Sequence, residues 1–164
     1  MLRAAKIALV FAVAMYYSLV VFNNLTDYDS NLEFVRHTLT MNTTFPGNHG
    51  MWRAINAPAE HTAFYLAIIA WEALTMLLCW WGAARMLREC NASAAEFDRA
   101  KNVAIAGLTL SLLMWLVAFL SVGGEWFLMW QSKVANGQAT AFSMFTVVGI
   151  VLLIVAQREA GAGE

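Results

Sequence analysis

The sequence predicts an all-α membrane protein, a four-transmembrane-helix bundle with a structured outer (periplasmic) segment between helices 1 and 2. Three observations predict it: four long runs almost free of charge, a composition too apolar for a water-facing surface, and an uneven split of basic residues between alternate connections. The 164 residues are 60% hydrophobic and 13% charged, where a soluble domain carries about 25% charged residues. A chain of this length supports a single membrane domain, 1–164.

Each span follows from one charge-poor run. Residues 7–26, 102–124 and 134–157 carry no charge, and between Glu60 and Arg85 the one carboxylate is Glu72. A helix crosses the ~30 Å hydrocarbon layer with roughly 20 residues, and helices are expected because the bilayer interior offers backbone groups no water. The spans are placed at about 5–24, 61–84, 102–124 and 138–157. The first begins like a secretory signal, with Arg3 and Lys6 before an apolar run, but it ends in Asn23-Asn24 without a small-residue cleavage site. It therefore reads as a retained helix.

The outer segment, 24–60, is too long for a plain turn. Ser30 and Glu33 have the spacing of a capping box, and Leu32, Val35 and Leu39 recur at helical spacing. A short amphipathic helix is predicted from about Ser30 to Thr40. Residues 46–50 form a turn cluster, and Pro58 suits the first turn of the second span. The acidic, glycine-containing tail, 159–164, is expected to be disordered.

Basic residues set the orientation. Arg3, Lys6, Arg85, Arg88, Arg99, Lys101 and Arg158 fall on one side, against Arg36, Arg53 and Lys133 on the other. The excess predicts cytoplasmic N- and C-termini.

Several chemistries find no support. A net charge of −1 and the lack of a basic stripe argue against nucleic acid. Cys79 and Cys90 form neither a redox pair nor a zinc pattern. The three histidines all lie in the outer segment or at its junction with the second span, where they cannot clamp a haem between spans. Nucleophile motifs and phosphate loops are missing. No catalytic residue, cofactor or metal is expected.

Two groups could still carry chemistry. Glu72 lies near the middle of the second span, and His61, Tyr65, Ile68 and Glu72 share one helical face. A carboxylate at that depth is costly, so a neutral, protonated Glu72 facing the bundle is expected. Counting depth from the outer ends brings Tyr16, Tyr17, Ser111, Trp115 and Thr146 near its level, and the indole of Trp115 needs an acceptor there. The track Glu72, His61, Tyr65, Trp115, Ser111 reads either as a proton or ligand path or as a polar seam that fixes helix packing. The second group is the outer set Asp27, Glu33, His37 and Arg53, in which Glu33 and His37 stand i, i+4. Small residues recur at Ala4, Ala8 and Ala12 and at Gly107 and Ser111. Such stripes let helices approach closely, within the chain or against another subunit.

Asn24-Leu-Thr-Asp27, Phe34-Val35-Arg36-His37, Thr44-Phe45-Pro46 and Arg53-Ala54-Ile55, followed by His61, Tyr65 and Glu72, resemble a bacterial family of predicted small integral membrane proteins, a domain of unknown function. The resemblance covers nearly the whole chain. It implies a bacterial inner (plasma) membrane and four spans, and it brings no activity.

Two functions are compatible with this reading. One is a small non-catalytic inner-membrane protein, an accessory or assembly subunit of a larger complex, whose partners are the lipid bilayer and other membrane subunits or copies of itself. The other is a small proton-linked transporter or channel that uses Glu72 as its titrating group.

Overall fold

The computed structural model describes residues 1–159 and 161; residues 160 and 162–164 of the tail expected to be disordered lie outside the described residues. The described residues form helices and no strand, in the order α1 (Leu2–Thr26), α2 (Tyr28–Thr40), α3 (Pro58–Arg88), α4 (Ala94–Ala100), α5 (Asn102–Leu113) and α6 (Gln138–Ala156). Four stretches are long and apolar enough to cross a membrane: Leu2–Thr26, Pro58–Arg88, Ala94–Trp126 and Gln138–Ala156.

Helices without a hydrophobic drive to associate pack through small residues, and α3 meets α5 in this way. A Cβ at Gly82 would lie 2.5 Å from the Ala104 backbone, and one at Gly107 would lie 2.9 Å from Cys79 Sγ. The stripe on α1 does something different. Ala4, Ala8 and Ala12 are all exposed and take no part in the core of the described residues. The core of the bundle is instead built from Val10, Ala14, Cys79, Met86, Leu108 and Val148, each fully buried.

The third span departs from the predicted uniform α-helix. From Met114 to Trp126 the chain is π-helical, and Phe127 N–H donates to the Val122 carbonyl five residues back, at 3.0 Å. π geometry is rare and usually confined to one turn. Here it widens the half of the span that runs towards α2.

The start of α2 also differs from expectation. The helix begins at Tyr28, with Asp27 as both the last cap of α1 and the first of α2, and no side chain caps it. Ser30 is therefore inside the helix and forms no capping box, and Glu33 instead pairs with Arg36 and His37. α1 runs so nearly into α2 that no free turn is left for Ser30 to cap. A capping box does form elsewhere, at Ser93 and Glu96 ahead of α4. α2 ends on Met41 in the left-handed conformation (φ 54°), a place that favours glycine. The Met41 side chain is 1% exposed, so its burial holds that backbone.

At the opposite end of the bundle an ionic clamp joins both ends of the described chain. Lys6 is fully buried and donates to the Gln157 carbonyl (2.8 Å) and to Glu159 (2.7 Å). Lys101, also buried, donates to the same carbonyl at 2.7 Å and pairs with Asp98. Arg3 binds Glu159 at 3.1 Å and the carbonyls of Cys90 and Ala92, and its guanidinium lies 4.8 Å from the centre of the Phe97 ring. Two cations thus meet the negative end of the α6 dipole. Glu159, which the sequence placed at the head of a loose tail, is the anion that binds Lys6 and Arg3. Burial opposes its ionisation, but hydrogen bonds from Lys6 and Arg3 and their charges hold its carboxyl below the usual glutamate value.

Candidate functional site

The geometry that makes a site is a stagger between helices. Asn24, two residues from the end of α1, donates through Nδ2 to Glu72 Oε2 at 2.5 Å, although Glu72 is well inside α3. α3 therefore overhangs the end of α1 by roughly two to three turns. α2 folds back over that space, packing Val35 and Leu39 with Tyr65, Ile69 and Phe127. The loop after it is tied to the far connection: Thr43 and Ser132 hydroxyls are 2.7 Å apart, and Phe45 N–H donates to Gln131 Oε1 at 3.1 Å.

A cavity of about 580 Å³ remains between α2, α3, the π-helical segment and the start of α6. Phe34, Ile68, Trp71, Trp115, Phe119 and Val122 form much of its wall. Its polar end is built by Asn24, Tyr65 and Glu72. Tyr65 donates to the Asn24 carbonyl at 2.9 Å, so one asparagine links the tyrosine and the glutamate. Glu72 is 3% exposed.

These contacts correct the expected partners of Glu72. Trp115 donates to Tyr17 Oη at 3.0 Å, and the Ser111 hydroxyl lies 2.6 Å from the same oxygen. Trp115, Ser111 and Tyr17 thus satisfy one another and leave Glu72 to Asn24. Depth counting missed this because it set all helices flush at one plane. The signal was present in Asn23-Asn24, two amides closing an apolar run. His61, Tyr65 and Glu72 all lie on the buried face of α3, but they do not form one hydrogen-bonded track. His61 is buried, but its Nε2 lies 2.8 Å from the Ile55 carbonyl, so it closes the loop before α3 and does not join the Tyr65–Asn24–Glu72 set.

A family profile described as predicted small integral membrane protein (DUF2165) matches residues 2–158. The chain belongs to that family. No curated protein and no solved structure matches it. The match takes in α2, the cavity and most of the clamp, and it makes this an integral membrane protein.

The remaining candidates in this DUF2165 chain lie away from the cavity. Glu33 and His37 contact each other at 3.0 Å, and His37 Nδ1 lies 2.8 Å from Asn42 Oδ1. Among the described residues no group of three or more metal-ligating side chains converges. Asp27 is exposed at the α1–α2 junction, where its carbonyl accepts from Asn31. Arg53 caps the third span: Nη1 donates to the Trp126 carbonyl at 3.2 Å, and the guanidinium lies 5.3 Å from the ring centre of Trp52 and 5.1 Å from that of Trp126.

Proposed function

We propose that this chain is a non-catalytic accessory or assembly subunit of a larger complex in a bacterial inner membrane, acting through contacts with other subunits or with its own copies. The observation that carries the reading is the outward stripe Ala4, Ala8, Ala12 on α1, exposed along the helix. In lipid such stripes are where a second helix approaches. Ala8→Leu fills the stripe without touching the core. The variant is expected to keep the wild-type melting temperature in detergent but to shift from a higher-mass species to a lower one on native electrophoresis of gently solubilised membranes. Wild-type protein that migrates as a single copy would overturn the reading.

The transporter reading fares less well because the polar groups stop. Beyond Glu72, Thr75 and the Tyr17–Ser111–Trp115 cluster, the bundle is filled by Val10, Ala14, Met86, Leu108 and Val151, so the buried polar groups among the described residues form no continuous train to the clamp. In proteoliposomes under a pH gradient, wild type and Glu72→Gln are expected to leak protons equally; a Glu72-dependent flux would favour the transporter.

The orientation we propose places the clamp in the cytoplasm and α2 outside, on the basic-residue bias. Asn91 and Lys133 are exposed on opposite sides of the bundle. In a Cys90→Ser background, an impermeant maleimide should label Lys133→Cys in intact spheroplasts and Asn91→Cys only after permeabilisation. The reverse pattern would invert the topology.

A further inference from the structure

We propose that the cavity beneath α2 is a binding site, entered sideways from the bilayer, for an elongated amphipathic molecule whose positively charged head seats against Glu72. The inference does not depend on the chain joining a larger complex.

The first argument is charge. Among the described residues Glu72 is the one charged residue that lines the cavity, and neither lysine, arginine nor histidine lines it. Its Oε2 accepts from Asn24, and among the described residues no side chain donates to Oε1. The titratable groups that face it are phenols, Tyr16 and Tyr17 from α1 and Tyr65 from α3. The cavity walls from α2, the third span and α6 are uncharged. An ionised carboxylate only accepts hydrogen bonds, and the described side chains offer this one a single donor and no counter-charge, so the charged form of Glu72 lacks the partner that a cationic head would bring. A cation brought into an apolar cavity is tolerated only when paired and hydrogen-bonded, and Glu72 is the group that can pair it.

The second argument is the aromatic wall. Trp71 and Trp115 both line the cavity, and both indole N–H groups are already bonded, to the Leu110 carbonyl and to Tyr17. What remains to a ligand is ring surface. Aromatic rings beside a carboxylate are the surroundings in which ammonium groups bind, because the negative ring face attracts the cation.

Size and access narrow the class further. At about 580 Å³ the space lies within the range of small-molecule sites, and it is too small to admit a partner's helix of about 10 Å diameter. Phe64 and Ala67 on α3 and Val117 and Val122 on the third span line the cavity and are exposed. They mark an opening on the lipid-facing flank between those helices, beneath α2. A ligand dissolved in the bilayer would enter head first, and its apolar chain would lie along the wall.

The test uses three probes of equal chain length: dodecylammonium, dodecanol and dodecanoate. Each is titrated against the full chain in neutral phosphatidylcholine nanodiscs, and binding is read from tryptophan fluorescence against empty discs. Dodecylammonium is expected to bind at least tenfold more tightly than dodecanoate, with dodecanol between them. Glu72→Gln keeps a side chain that can accept from Asn24 but removes the charge, and it should erase the preference for the amine while weak chain-dependent binding persists. Ala67→Phe narrows the opening and should weaken all three probes. Equal binding of the probes, a preference for the alcohol, or an amine preference that survives Glu72→Gln would each overturn the proposal. If Glu72→Gln fails to fold, the order of the probes on wild type decides alone.

Discussion

Gly82→Ala is expected to be among the most destabilising single-methyl changes in the molecule. The added carbon would sit 2.5 Å from the Ala104 backbone nitrogen and Cα and 2.7 Å from its Cβ. The nitrogen and Cα are backbone atoms of a neighbouring span, and the Cβ is fixed to them, so none can swing aside and α3 and α5 must separate. Overpacking of this kind costs about 1–3 kcal/mol, and the rigid neighbour puts this site at the upper end. Gly149→Ala in α6 is the control, because its Cβ would meet nothing nearer than Leu112 Cδ2 at 3.9 Å. In thermal melts followed by circular dichroism in detergent, Gly82→Ala should melt well below wild type and Gly149→Ala at or slightly above it, since alanine favours helix over glycine by roughly 1 kcal/mol. Equal melting of Gly82→Ala and wild type would disprove the close crossing.

Glu159→Gln is expected to open the clamp that joins α1 to the end of α6. Lys6 has a fully buried side chain, and that of Glu159 is 11% exposed. Breaking a buried pair by removing one partner costs about 3–5 kcal/mol. Glutamine keeps an acceptor for Lys6, so the loss at neutral pH is about 2–4 kcal/mol. The effect carries a pH signature. The folded form holds the Glu159 carboxyl below its ordinary value of 4.5, so the folded chain binds that proton less readily than the unfolded one. The stabilisation is complete above the ordinary glutamate range and is lost as pH falls through the depressed value. Wild type should therefore melt well above Glu159→Gln at pH 7, and the gap should close as pH falls through the depressed value and the wild-type carboxyl loses its charge. A gap that persists at acid pH would mean that Glu159 acts by packing and not by charge.

Much of the fold was legible in the sequence because a bilayer punishes charge and unpaired backbone. Where charged residues fell silent for about 20 residues a crossing helix was expected, and the four helices long and apolar enough to cross overlap those runs. Pro58 opens α3 for an equally local reason: its missing N–H and fixed φ cost nothing in a first helical turn.

The site was legible in part. An acid in an apolar run stands out, but its partner does not, because helix register is a property of the packed bundle. Asn24 meets Glu72 only because α3 overhangs α1, and no count along either helix contains that offset. Lys6 and Lys101 read as ordinary flanking cations, since nothing local distinguishes a lysine facing water from one buried against a helix end. The capping-box spacing occurs at Ser30 and at Ser93, and only the chain's path decides that Ser93 stands at a helix start. By itself, then, the sequence determined how many long apolar helices form, through local solvation energy. The tertiary structure decided which residues meet, and with them the cavity, its carboxyl and the clamp, because those depend on the relative sliding of helices whose apolar surfaces alone would accept many registers.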